Sequence, residues 1–223
     1  MKKNIAISLL IFGLNCTSNF AFAPRDFYFN TITEILAAEN RTLSDTLFID
    51  LKNDPDFRFT NNLRWFQDSE QALFGIKNAQ GDIYIEPLFY QIESFVEGIS
   101  IVTFEGFQGA INNKGELVIP YVYEELHTCS EGLIAFKEAD KWGFLNTSGD
   151  KVIEARYDFV DSFSEGLALA SQDNLFGYIN RKGNVVIPFQ YDYAGSFEGG
   201  EAQVEIKLKS FVINKRGVIV SEQ

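Results

Sequence analysis

The motif Asn-x-x-Gly recurs five times at one spacing. The copies are Asn78–Gly81, Asn112–Gly115, Asn146–Gly149, Asn180–Gly183 and Asn214–Gly217, and each step is 34 residues. A single period held over most of a chain means that one supersecondary unit is stacked on copies of itself, because no unit of that size buries its apolar face alone.

Alignment on this step gives consistent columns. An aromatic-Gly pair opens the copies at Phe74-Gly75, Trp142-Gly143 and Phe176-Gly177, whereas the second copy has Gln108 before Gly109. An apolar residue precedes the turn Asn at Ile111, Leu145, Ile179 and Ile213, with Lys77 the exception. Val118-Ile119, Val152-Ile153 and Val186-Ile187 follow the turn, and Pro120 and Pro188 close that run. Tyr123-Glu124, Tyr157-Asp158 and Tyr191-Asp192 come next. Phe95, Cys129, Phe163 and Phe197 share a column, and Glu97-Gly98, Glu131-Gly132, Glu165-Gly166 and Gly199-Gly200 share the following one.

One unit reads as strands. Trp142 to Asn146 and Lys151 to Ile153 are short runs joined by Asn146-Thr147-Ser148-Gly149. Asn at the first turn position bonds its own backbone two residues on, and Gly at the fourth takes a positive φ, which predicts a hairpin with a type I turn and a glycine bulge. Leu167 to Ser171 predicts a third strand, followed by a polar turn at Gln172 to Asn174. The expectation is about three strands per unit, with an irregular excursion that carries the Tyr-Asp pair. β-branched residues and Gly dominate and helical spacing is missing, which excludes helical repeats of similar length.

The pattern resembles the WG-repeat family, a Trp-Gly β-repeat found in many bacterial proteins. The resemblance rests on Trp142-Gly143-Phe144-Leu145-Asn146, Gly149, Val152-Ile153, Tyr157-Asp158, Phe163 and Glu165-Gly166-Leu167-Ala168, and extends over roughly residues 71 to 220. It implies a β-rich repeat domain of interaction or unknown role, and it carries no catalytic residues to transfer.

One face bears on closure. The outer pair of the third strand reads Ile99/Ile101, Leu133/Ala135 and Leu167/Leu169 in earlier units but Glu201/Gln203 in the last full one. A polar face on a terminal unit is a cap, which an open stack needs and a ring does not. Phe211 stands where the column has Gly, as if nothing packs beyond it. The expected fold is an all-β repeat protein, an open array of 34-residue three-stranded units with a short, partly helical N-terminal segment. A closed propeller-like ring is the alternative.

The expected organisation is a signal peptide over residues 1–23, an N-terminal cap segment over 24–70, and a repeat domain over 71–223 with four full units and a partial fifth. Lys2-Lys3, the apolar run Ile5 to Leu14 and Ala21-Phe22-Ala23 before Pro24 follow the order of a secretory leader, and the run is too short for a membrane span. Leu14 and Asn15 do not suit a lipoprotein site at Cys16. Ile32, Ile35 and Leu36 share a face of a short helix within Phe29 to Glu39, Asp54-Pro55 marks a turn, and Leu63 to Phe66 lies one period before a third strand. The chain is thus expected to be exported, periplasmic or secreted, with no membrane span after cleavage.

Loss of Lys2 and Lys3 takes the net charge from −12 to −14 and leaves Cys129 without a disulfide partner. So acidic a chain is a poor nucleic-acid or anionic-lipid binder, since phosphate contacts need Lys and Arg.

The carboxylates are the most numerous candidates for chemistry. Glu97, Glu131 and Glu165 form one ladder, and Glu124, Asp158 and Asp192 another. A glycosidase needs two carboxylates with divergent environments in one cleft, whereas a residue repeated in every unit answers a scaffold geometry. His127 and Cys129 could share a metal, but zinc wants three or four ligands. Cys129 fits a buried small hydrophobe and lacks a cationic neighbour to activate it. Asn146/Gly149/Asp150 and Asn78/Gly81/Asp82 place oxygens on turns without the Asp density of calcium loops. No phosphate loop occurs, and Asn40-Arg41-Thr42 and Asn146-Thr147-Ser148 match glycosylation sequons.

The candidate ligand-binding residues are Tyr123, Tyr157 and Tyr191, which would stack on sugars or grip a peptide if exposed and wedge the units apart if buried, and Gln108 and His127, which break the period. The ten Asn and Gly residues of the turns are structural. No cofactor, metal or catalytic residue is expected. The leading reading is an exported non-catalytic module that binds a protein, peptide or glycan. The alternatives are a glycan hydrolase using groove carboxylates and a self-association module with an open strand edge.

Overall fold

The structure, a computed structural model, describes residues 46–47 and 57–222. The leader, the helix expected within Phe29 to Glu39, the Asp54-Pro55 turn and the Asn40 sequon lie outside the described residues. Among the described residues every regular element is a strand, and the strands form five antiparallel four-stranded sheets in chain order.

Sheet I contains β1 (Thr46–Leu47), β2 (Arg64–Asp68), β3 (Phe74–Lys77) and β4 (Ile83–Phe89). Sheet II contains β5 (Gln91–Ile92), β6 (Ile99–Phe104), β7 (Phe107–Asn112) and β8 (Leu117–Tyr123). Sheet III contains β9 (Glu125–Leu126), β10 (Leu133–Glu138), β11 (Lys141–Asn146) and β12 (Lys151–Tyr157). Sheet IV contains β13 (Phe159–Val160), β14 (Leu167–Gln172), β15 (Leu175–Asn180) and β16 (Val185–Tyr191). Sheet V contains β17 (Tyr193–Ala194), β18 (Glu201–Ile206), β19 (Lys209–Asn214) and β20 (Ile219–Glu222).

Two expectations change. The unit has four strands and not three, because the excursion after each Tyr forms a two-residue strand, such as Phe159–Val160 paired with Ser171 and Ala170. Pro120 and Pro188 do not end their strands, since β8 and β16 are edge strands that tolerate a missing N–H. Sheet I also takes β2 and β3 from either side of residue 70, so the first sheet spans the expected boundary between cap and repeat domain.

The Trp-Gly glycine has a definite cause. Trp142 pairs with Tyr157 and Phe144 with Ile153, so two steps on β11 face four on β12 and the partner strand bulges over Gly143. A Cβ there would lie 2.4 Å from the Ile153 carbonyl oxygen. Phe211 is tolerated for the same reason: it pairs with Glu222 and Val212 with Ser221, with no bulge between them. Its size reports a straight partner strand in its own sheet, and not the lack of a following unit.

The core lies between sheets. One layer joins Ile99, Ile101, Ala110 and Ile119 of sheet II to Leu126, Ile134, Phe136 and Leu145 of sheet III. β10 and β14 are buried on both faces, which is why they read as continuous apolar runs. β18 alternates instead, with Ala202 and Val204 buried and Glu201 and Gln203 exposed. At the other end, Phe66, Asp68 and Lys77 stand in columns that are mostly apolar in later units, with the Lys77 Nζ 4.9 Å from the Phe66 ring centre. The fold is an open array whose last sheet turns a polar face outward, while Phe66, Asp68 and Lys77 of the first sheet are buried.

Candidate functional site

The recurring polar residues are scaffold. In all five turns the Asn Oδ1 accepts two backbone N–H groups; that of Asn146 takes those of Ser148 and Asp150 at 2.9 Å each. Gly149 closes its turn with φ +80°. These oxygens are engaged, which argues against the calcium reading.

The Glu-Gly pairs form two-residue turns in which both residues take positive φ, as at Glu131 (+52°) and Gly132 (+73°). Each carboxylate reaches the next unit. Glu97 accepts the N–H groups of Glu131 at 2.8 Å and Gly132 at 2.6 Å, Glu131 accepts that of Gly166, and Glu165 that of Gly200. The Gly132 N–H is the main cause that holds the Glu97 carboxyl below its usual range. At Glu165 the Lys215 ammonium, 2.8 Å away, is the larger cause and the Gly200 N–H the smaller.

The acid after each Tyr sits on the single residue that links one sheet to the next. Asp158 accepts the Asp173 N–H and pairs with Lys141, and Asp192 accepts the Lys207 N–H. Glu97, Glu131, Glu165, Asp158 and Asp192 therefore all fasten turns.

The tyrosine column requires a correction. Tyr123, Tyr157 and Tyr191 are buried between sheets, and the Tyr157 hydroxyl donates to the Gly183 carbonyl at 3.1 Å. They are the wedge between units and do not offer their faces to a ligand, because the rings complete the apolar layers.

Gln108 and His127 both lie at the junction of sheets II and III. The Gln108 Oε1 accepts the Leu126 N–H at 2.6 Å, so this departure stitches two sheets. The His127 ring packs at a tilt against Trp142, their centres 4.4 Å apart, and its Nε2 lies 3.7 Å from Glu125. Cys129 is buried in the same layer, 3.3 Å from the Glu97 carboxylate, and burial pushes its thiol up to about 12. No group of three or more metal-ligating side chains occurs among the described residues.

Sequence reasoning missed a second set of rings. Tyr90, Phe159 and Tyr193 lie at sheet-to-sheet crossings and are 58%, 40% and 54% exposed. They occupy two adjacent columns, so column alignment alone does not gather them. Beside Tyr90 a hollow of about 270 Å³ opens between sheets I and II, lined by Phe74, Tyr90, Gln91, Ile92, Glu93, Ile101 and Thr103. Glu93 is exposed as a whole, but partial burial of its carboxyl at the hollow raises it above its usual range, and the Thr128 hydroxyl at 3.4 Å and the charge of His127 oppose this.

Among solved structures, the chain is similar to Hsv2p of Kluyveromyces lactis at 13% identity and a TM-score of 0.44, over 74% of this chain and 61% of that one. It is similar to a streptogramin B lyase at 14% identity and a TM-score of 0.37, over 80% and 72% of the two chains. BamB from Moraxella catarrhalis follows at 10% identity and a TM-score of 0.38, over 74% and 56%. The chain thus spans less than two thirds of the Hsv2p chain. No curated protein matches the chain. Residues 74–106, 109–142, 142–176 and 176–207 match the family described as WG containing repeat, more than half of the sequence. The chain belongs to the WG-repeat family.

Proposed function

We propose that the chain is an exported, non-catalytic module that presents an extended surface to a protein, peptide or glycan. The observation that carries this reading is the set of exposed rings at the crossings, Tyr90, Phe159 and Tyr193, on a scaffold whose repeated carboxylates and amides are already engaged. Large rings supply contact area at low entropic cost. The engaged ladders favour binding over hydrolysis, since a groove hydrolase needs free carboxylates of divergent acidity. The Lys2-Lys3 head, the apolar run and Ala21-Phe22-Ala23 support export.

The test applies the full chain to peptide and glycan arrays beside its Phe159→Ala/Tyr193→Ala variant. Binding by the parent with a loss of about tenfold in the variant is expected, about 1.4 kcal/mol for two truncated contacts. Equal binding by both, or turnover of an array glycan, would overturn the reading. Mass spectrometry of the exported protein is expected to find Pro24 at its N-terminus.

A further inference from the structure

The first crossing departs from the repeat rule at two adjacent places. The residue that links sheets is Glu124, Asp158 or Asp192 at later crossings, and two of these fasten a downstream turn. At the first crossing it is Tyr90, with its ring in solvent. Three positions on, the column reads Glu93, His127, Asp161 and Gly195. Asp161 shows what a carboxylate does there as scaffold: one oxygen accepts the Ser162 N–H at 2.7 Å and the other the Ser196 hydroxyl at 2.7 Å. Glu93 is one methylene longer, its corresponding contact to Thr128 is stretched to 3.4 Å, and it lines the hollow. A carboxylate with only a long scaffold contact thus stands at the wall of an opening flanked by the rings of Phe74 and Tyr90.

We infer that this hollow receives a cationic side-chain group, a guanidinium or ammonium, from a basic segment of a protein or peptide. The inference rests on the binding-module reading above. A guanidinium there meets a carboxylate for charge-assisted hydrogen bonds, a hydroxyl at Thr103, and aromatic faces that attract cations. The hollow is smaller than most drug-sized pockets, which suits a single side chain. The net charge of −12 also steers a basic partner toward the surface.

The experiment uses the isotope-labelled full chain and two capped tripeptides, Gly-Arg-Gly and its neutral isostere Gly-citrulline-Gly. The arginine peptide is expected to shift the amide resonances of Glu93 and Thr103 and to bind at least about tenfold more tightly than the citrulline peptide, the scale of one charged hydrogen bond. Glu93→Gln is expected to abolish that preference while its melting temperature holds, since an exposed carboxylate with one long contact is replaced by a neutral isostere. Asp161→Asn is expected to leave the preference intact. Equal binding of the two peptides, shifts away from the hollow, or a preference that survives Glu93→Gln would each overturn the inference. Failure here leaves the array result with Phe159 and Tyr193 standing, so the two proposals fail separately.

Discussion

Leu208 stands in the left-handed region at φ +64°, with Lys207 before it at +50°, and 96% of its surface is exposed. The pair turns β18 into β19 in the geometry that favours Asn-Gly, and the equivalent turn of sheet II has Gly106 in that place. A side chain in this region costs about 1–2 kcal/mol, and Gly returns part of the gain through the unfolded chain. Leu208→Gly is therefore expected to stabilise the protein by about 0.5–1 kcal/mol, read from the midpoint of urea denaturation. A lower midpoint would sink the strain argument. Nothing local announces a turn at Lys207-Leu208, and only alignment with the other copies locates it. Asn146 is the opposite case, since its type and its distance from Gly149 specify the turn that forms. The tyrosines fall between: their spacing is legible in the chain, but whether a ring faces a neighbour or a ligand depends on the next sheet.

At the scale of elements, the Glu-Gly turns are tied to one another along the array through carboxylates that accept N–H groups of the following unit. The Glu97 carboxyl is held below its ordinary value of 4.5 in the folded state, chiefly by the Gly132 N–H. Because the folded value is depressed, this stabilisation is present above the unfolded value and fades as pH falls through it toward the folded one. Glu97→Gln is expected to lower the melting temperature at neutral pH and to flatten its decline below the ordinary carboxylate range. A parallel pH profile in parent and variant would refute the linkage. The spacing of this ladder is visible in the chain but its direction is not, because an exposed acid beside a glycine has no partner until two units are stacked. The fourth strand escapes a reading of the chain for a related reason: a two-residue strand such as Phe159–Val160 is too short to show alternation and exists only through pairing with β14.

For the whole molecule, the polar face of the last sheet marks one end of the array. Columns filled by Leu167 and Leu169 in sheet IV hold Glu201 and Gln203 in sheet V, and those two are exposed. Glu201→Leu/Gln203→Leu is expected to create an apolar face on the last sheet and to shift the protein toward concentration-dependent association, measured by light scattering after size exclusion. An unchanged mass over roughly a hundredfold range of concentration would show that the pair is not a cap. This end is readable in the sequence because the substitution breaks a column filled three times before. The exposed rings are harder to read, since Phe159 and Tyr193 share a column but Tyr90 stands in the one before it, and only their place in the fold joins all three.

Single residues carry the chain from one sheet to the next, and a long-range hydrogen bond such as that from Asn61 to Lys114 spans 53 residues, less than two repeat periods. Among the described residues, the beginning of the chain thus finds its partners before the far end is present. Structure can spread by zippering from any adjacent pair of sheets, with loop-closure costs set by the unit and not by the whole length. For a polypeptide emerging gradually from a ribosome or a translocation channel, growth of the fold can keep pace with the arrival of sequence.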